Sequence, residues 1–304
     1  MHVVAVGGTG FIGRRLCAAL LAAGHDVTAL SRTPAPDILS GAVETATGDV
    51  TDCASITAAL TDADADAVVN LVALSPLFEP PGGNKRHDIV HRGGTEHCLR
   101  AAAAAGVDRF VQLSALGADP TGPTHYLRAK GRAERAVQDS SLAWTILRPS
   151  VVFGAAGEFL SIVRRLTPPA IAPLPGGGQT QFQPLWVEDA AELIAAALAR
   201  EHAGCIYEIG GPEVLSLAEI VQVVRGIDGR TPAVIPVPMA VAGLGLTLAG
   251  LLPGLPLGRD QYRALQLDAT TTDTDVRTLG VTPEELTTVT AYLRRDRHTV
   301  VRQW

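Results

Sequence analysis

A chain of 304 residues has room for one large or two modest domains, and 47% hydrophobic residues can fill a sizeable core. Its 25 lysines and arginines against 31 acids leave a formal charge of −6, which argues against an extended nucleic-acid surface. Cys17, Cys53, Cys98 and Cys205 stand far apart, with no CxxC and no partnering histidine spacing, so neither a metal site nor a disulfide framework is indicated. No basic segment precedes an apolar one at the start, and the expected location is the cytoplasm.

His2–Val6 is a β-branched apolar run that stops at glycine, which predicts a buried strand. Phe11–Ala23 repeats Ile12, Leu16, Ala19 and Leu20 at helical spacing. The corner between them, Gly7-Gly8-Thr9-Gly10-Phe11-Ile12-Gly13, satisfies two glycine spacings, Gly8-x-Gly10-x-x-Gly13 and Gly7-x-x-Gly10-x-x-Gly13. Glycine is needed there for a tight turn, for approach of a pyrophosphate to the backbone, and for close packing of helix on strand. The helix N-terminus then faces the phosphates, and the stretch predicts dinucleotide binding.

Asp26–Ser31 is a second strand, Val43–Gly48 a third, and Ala54–Leu60 a helix. Asp66–Val72 is a fourth strand whose unbroken apolar run suits a parallel strand covered on both faces. Ser75–Arg86 is a Pro- and Gly-rich loop, either a lid near a ligand or a plain surface loop. His87–Ala105 reads as one long helix, Arg109–Leu113 as a fifth strand, Tyr126–Asp139 as a helix, and Ala143–Leu147 as a sixth strand running into Arg148-Pro149. This alternation predicts an α/β fold, a doubly wound parallel sheet with right-handed crossovers. Ligands then bind beyond the carboxyl ends of the strands, where the glycine corner, Ser31, Arg32, Asp49, Val50, Leu71, Val72, Ala73, Ser114 and Pro149 all fall.

After Phe153-Gly154 the character changes. Residues 168–183 are rich in proline and glycine, Leu185-Trp186-Val187-Glu188-Asp189 opens a helix that runs through Leu198, and Ile206–Ile209 is one more strand. Ser216–Val224 is helical, with Ser216 and Glu219 spaced as a capping box. Residues 231–258 carry no charge, but four prolines leave too short a helix to span a bilayer core of ~30 Å. That segment reads as a buried wall of a small second domain, or as a roof over an apolar substrate or a membrane-surface contact. Pro283–Trp304 reads as a final helix with a basic end.

The second strand ends Leu30-Ser31-Arg32, without the carboxylate that holds the ribose hydroxyls of NAD. Arginine there clamps a 2′-phosphate instead, and Arg14 and Arg15 add charge, so NADP(H) is favoured over NAD(H). Asp49 is either an acceptor for the adenine amino group or a helix N-cap. Tyr126 and Lys130, at i and i+4, share one helical face. An ammonium beside a phenol favours the phenolate and brings it towards the working range of an acid–base group. Ser114 is placed to hydrogen-bond the reacting oxygen.

The glycine corner, Asp49-Val50, Asn70-Leu71-Val72, Tyr126-x-x-x-Lys130-x-x-x-Glu134, Arg148-Pro149 and Gln183-Pro184-Leu-Trp-Val-x-Asp189 together resemble an extended or atypical short-chain dehydrogenase/reductase. Within it the chain is similar to the group related to the nucleotide-binding accessory subunit of respiratory complex I. The resemblance implies a Rossmann domain of residues 1–153 plus about 186–211, and a C-terminal substrate domain of about 154–185 plus 212–304. It also implies bound NADP(H), with Tyr126 and Lys130 as the motif pair and Lys130 also holding the nicotinamide ribose. The expected function is an NADP(H)-dependent oxidoreductase acting on a carbonyl or alcohol of a rather apolar small molecule. A non-catalytic NADP(H)-binding sensor or assembly protein is the alternative, and an epimerase or isomerase with transient oxidation the third.

Overall fold

The computed structural model describes residues 1–33, 35–80, 83–227, 229–249, 258–272 and 274–295. Its centre is a seven-stranded sheet in which every pairing is parallel. In chain order the strands are β1 His2–Val6, β2 Asp26–Ser31, β3 Glu44–Thr47, β4 Ala67–Asn70, β5 Arg109–Leu113, β6 Ala143–Pro149 and β7 Cys205–Ile209. Their spatial order is 3-2-1-4-5-6-7, so the chain reverses direction across the sheet between β1 and β4. That reversal opens the crevice in which doubly wound sheets hold ligands.

Side chains of β1 alternate between two cores, as strand geometry requires. Val3 and Ala5 pack with Leu16 and Leu20 of helix α1 (Gly13–Ala22) and with Leu193 and Ile194 of Val187–Ala196. Val4 and Val6 pack on the other face, with Ile56 and Leu60 of helix α2 (Cys53–Asp62) and Cys98 and Ala102 of helix α3 (Gly94–Ala104). Helix α4 (His125–Gln138) adds Val137 to that second core. A third cluster, Phe153, Phe159, Leu160, Ile220, Val221 and Tyr292, organises the remaining elements. Burial pushes the free thiols of Cys17 up to about 11 and of Cys98 up to about 12, so both behave as small hydrophobes.

Three differences from the sequence reading stand out. The helix expected over 87–105 is interrupted: a short turn Lys85–His87 runs into a π-helical stretch, Asp88–Gly93, before α3 begins. At the start of α3 the backbone approaches Val50 closely, since a Cβ added to Gly94 would sit 3.0 Å from the Cβ of Val50. Around the uncharged segment, Ala233–Val237 pairs with Ile171–Pro175, and helix Met239–Ala249 leaves Val241 and Leu244 exposed at 59% and 63%. Residues 250–257 of that segment lie outside the described ones, and no described helix is long and apolar enough to cross a membrane. The final helix is shorter than expected, a 3-10 turn Pro283–Glu285 and then Val289–Arg295, and the expectation for 296–304 lies outside the described residues. The Ser216–Glu219 capping box forms as read, Ser216 Oγ accepting from the Glu219 amide at 3.2 Å.

Candidate active site

The corner between β1 and α1 is built to carry a ligand on bare backbone. Gly7 takes φ +88°, open to glycine and strained for other residues, while its amide donates to the Leu30 carbonyl at 2.8 Å. A Cβ on Gly13 would lie 2.3 Å from the Gly7 carbonyl oxygen, so α1 packs on the turn only because position 13 has no side chain. Gly10 stands exposed at the rim. Helix α1 has no side-chain cap at Ile12 and no acid in its first turn. The amides of Phe11 and Ile12 donate to no acceptor among the described residues. Unsatisfied amides at a positive helix end, with glycine opening the approach, fit a pyrophosphate. Thr9 lies within the turn, half-buried.

At the far end of this cradle, Arg14 and Arg32 form no ion pair among the described residues, and Arg32 is exposed. Arg15, grouped with them from sequence, is committed elsewhere, its Nε 2.9 Å from Glu188 Oε1. Ser31 turns its hydroxyl onto the Thr33 carbonyl at 2.8 Å. Asp49 is not the N-cap of α2; that role belongs to Asp52, whose Oδ1 accepts from Ala54 at 3.0 Å. Asp49 Oδ1 instead accepts from the amide and hydroxyl of Thr51, both at 2.8 Å. These bonds, with Arg32 and Arg86 in range, hold its carboxyl below the usual carboxylate value. Val50 is buried, its carbonyl facing His97 Nδ1 at 2.7 Å. Leu71 donates to the Val6 carbonyl, Val72 packs against Gly7, and Ala73 is exposed at the end of β4. A buried triad of Asn70, Thr95 and Gln112 ties β4 to α3 and β5 beneath them.

Helix α4 begins with Thr124, whose hydroxyl accepts from the Leu127 amide at 3.1 Å. This cap starts the helix one residue before Tyr126 and so fixes where the phenol points. One turn on, Lys130 is buried and donates from Nζ to the Leu113 carbonyl at 2.8 Å, which locks α4 to the carboxyl end of β5. Burial, opposed by the carboxylate of Glu134, pulls the amine down to about 8. Burial pushes the Tyr126 phenol above its ordinary value. The sequence leads one to expect the ammonium to draw the phenol down. Here desolvation sets the direction of the shift. Ser114 is buried just past the end of β5, and its Oγ has no partner among the described residues. Pro149 closes β6, and its carbonyl accepts from Leu116 at 3.0 Å, fixing the loop that follows Ser114.

Two residues absent from the sequence reading complete the site. His87 and His91 stack at 5.5 Å, and each sets its ring nearly perpendicular to that of Tyr126, at 5.7 and 5.3 Å. Their i, i+4 spacing was visible, but only the fold brings that turn against α4. The chain beyond Gly258 closes over the same place. Asp260 Oδ2 accepts from the His125 amide at 2.6 Å and faces His125 Nδ1 at 3.0 Å, while Gln261 donates to the Pro76 carbonyl at 3.4 Å.

A family described as NAD(P)H-binding matches residues 7–158. Subunit 9 of the alpha subcomplex of mitochondrial NADH dehydrogenase (ubiquinone) 1 from Arabidopsis thaliana is 32% identical over 286 residues, covering 88% of this chain and 69% of that protein. A 3-diazoavenalumate denitrifying reductase from a Streptomyces species is 30% identical over 274 residues, 81% of this chain and 88% of that one. Among solved structures, the complex of Thermus thermophilus UDP-glucose 4-epimerase with NAD matches with a TM-score of 0.69 and 24% identity, over 86% of this chain and 99% of that chain. A Staphylococcus aureus nucleoside-diphosphate-sugar epimerase matches at 0.74 and 18%, over 97% and 100%. At such identities the structural likeness is one of fold. The chain belongs to the NAD(P)H-binding, atypical short-chain dehydrogenase/reductase family, an oxidoreductase-type family with a Rossmann core. Within that class it is a relative of the complex I subunit 9 proteins.

Proposed function

We propose that the protein is an NADP(H)-dependent oxidoreductase that reduces a carbonyl, or oxidises the matching alcohol, of a rather apolar small molecule. The observation that carries this reading is the meeting of Tyr126, Lys130 and the end of β5 at the crevice flanked by the glycine corner. When bound, the cofactor supplies hydride chemistry. Gly7, Gly8, Gly10 and the Phe11 and Ile12 amides hold its pyrophosphate, Arg14 and Arg32 its 2′-phosphate, Asp49 and Val50 its adenine, and Leu71 to Ala73 and Pro149 line its path. Arg14 and Arg32, free of ion pairs among the described residues, support NADP(H) over NAD(H).

Burial keeps the Tyr126 phenol protonated, the form that donates to a substrate oxygen gaining negative charge. Lys130, brought down to about 8, exchanges its proton near neutrality and can restore the one that Tyr126 gives up. Ser114 Oγ is a further donor to the same oxygen. Tyr126→Phe removes the transferable proton and little volume. Turnover of a panel of ketones and aldehydes should fall at least ~100-fold, while the NADPH dissociation constant stays within about twofold. Undiminished turnover in that variant would refute the assignment.

The 32% identity to a respiratory-complex subunit favours a second reading, an NADP(H)-binding assembly or sensor protein. It requires that bound NADPH fluorescence persist across the whole panel while a partner protein co-purifies. Transient oxidation in an epimerase is a third, supported by fold likeness alone.

A further inference from the structure

His91 is buried at the centre of the three-ring cluster, and its two ring nitrogens are in different situations. Nε2 lies 3.4 Å from the backbone nitrogen of Leu74. A backbone amide only donates, so Nε2 accepts, and in a neutral imidazole the proton then sits on Nδ1. Burial, with the Lys130 ammonium and His87 close by, holds the ring neutral, well below the ordinary histidine value. The Nδ1–H is therefore a buried donor, and it has no acceptor among the described residues. Ser114 Oγ and His87 Nδ1 are likewise buried without a partner there.

Buried polar atoms in folded proteins have partners, and two orphaned ring nitrogens on the histidines packed against one phenol mark the place of a polar group that belongs to a ligand. Packing gives no other reason for these residues, since a leucine or phenylalanine would fill the same space without desolvating two ring nitrogens. The π-helical stretch points the same way. It brings His87 and His91 to ring planes 14° apart, and such stretches cluster at functional sites.

We propose that the Nδ1–H of His91 is a second hydrogen-bond donor to the substrate atom that Tyr126 protonates, so that the site takes double bonds ending in oxygen or nitrogen. The inference rests on the assignment of Tyr126 as proton donor. His91 keeps its own proton throughout and stabilises the charge that collects on the acceptor atom before Tyr126 neutralises it. A neutral imidazole suits that role because its N–H donates a hydrogen bond yet is too weak an acid to give the proton away. The substrate class widens accordingly from carbonyls to azo and imine bonds, in which hydride from the nicotinamide adds to one atom of the double bond and the charge collects on the other, a nitrogen that Tyr126 then protonates.

Two measurements test this. Nitrogen-15 NMR of the unliganded chain should show the His91 ring protonated at Nδ1 and bare at Nε2; the opposite tautomer overturns the proposal whatever the activity. His91→Phe, which keeps an aromatic ring, should lower kcat on ketone and azo substrates by about 100-fold, with the NADPH dissociation constant within about twofold. His91→Asn, which restores a donor, should recover at least about tenfold of that loss. A kcat within about twofold of the parent in His91→Phe overturns the donor role, and if Tyr126→Phe is inactive in the same assays the Tyr126 reading stands without it. Absence of turnover on every substrate of the panel overturns both.

Discussion

Lys130 shows how one side chain does two things by being buried. Its Nζ anchors α4 through the Leu113 carbonyl, and the same desolvation brings its proton affinity from 10.5 to about 8. Between those two values the unfolded chain still holds a proton that the folded chain has shed, so stability rises with pH across that window. Relative to Lys130→Met, the parent should gain roughly 1–3 kcal/mol of unfolding free energy between about pH 7.5 and 10, measured by urea titration at several pH values. A difference that stays flat, or falls, would show that the ammonium is solvated in the folded protein. At this scale the sequence was a poor guide to charge state. Tyr126 and Lys130 stand out by spacing alone. That burial raises the phenol, where the cation would lower it, depends on how much water the fold removes.

The β1–α1 corner is the element that most clearly follows from its residues. Strand, turn and helix are written within thirteen residues, and the turn works only if positions 7 and 13 lack side chains, the first for its φ and the second for its distance to the Gly7 carbonyl. Gly13→Ala should force the helix off the turn. The expected result is a loss of about 1–3 kcal/mol of stability and at least ~10-fold weaker NADPH binding by calorimetry. Unchanged affinity would mean that the phosphates do not lie there. By contrast, the break before α3 could not be read locally. Its residues are compatible with a continuous helix, and the π-helical stretch of Asp88–Gly93 has no signature in them.

On the scale of the whole molecule, the closing of the site is a long-range event. Asp260 reaches the first amide of α4, and Gln261 reaches the loop after β4, so the last quarter of the chain seals the crevice formed by the first half. Arg14 opens α1 and Arg32 follows β2, and on the proposed reading a cofactor carrying a 2′-phosphate should draw on both. At equal millimolar concentration, NADPH should raise the melting temperature by several degrees more than NADH, since a roughly hundredfold excess over the dissociation constant contributes about 2.7 kcal/mol. Arg32→Glu should abolish that difference. Equal shifts in the parent would end the preference for NADP(H).

The sheet, the glycine corner and the Tyr126–Lys130 pair were determined by the sequence alone, because each depends on periodicity or on contacts within a few residues. The tertiary structure alone decided that His87 and His91 flank the phenol, that Arg15 is held by Glu188, and that Asp260 accepts from the first amide of α4. Those pairings join residues far apart along the chain, and the desolvation that lowers the proton affinity of His87 and His91 exists only once the chain has packed.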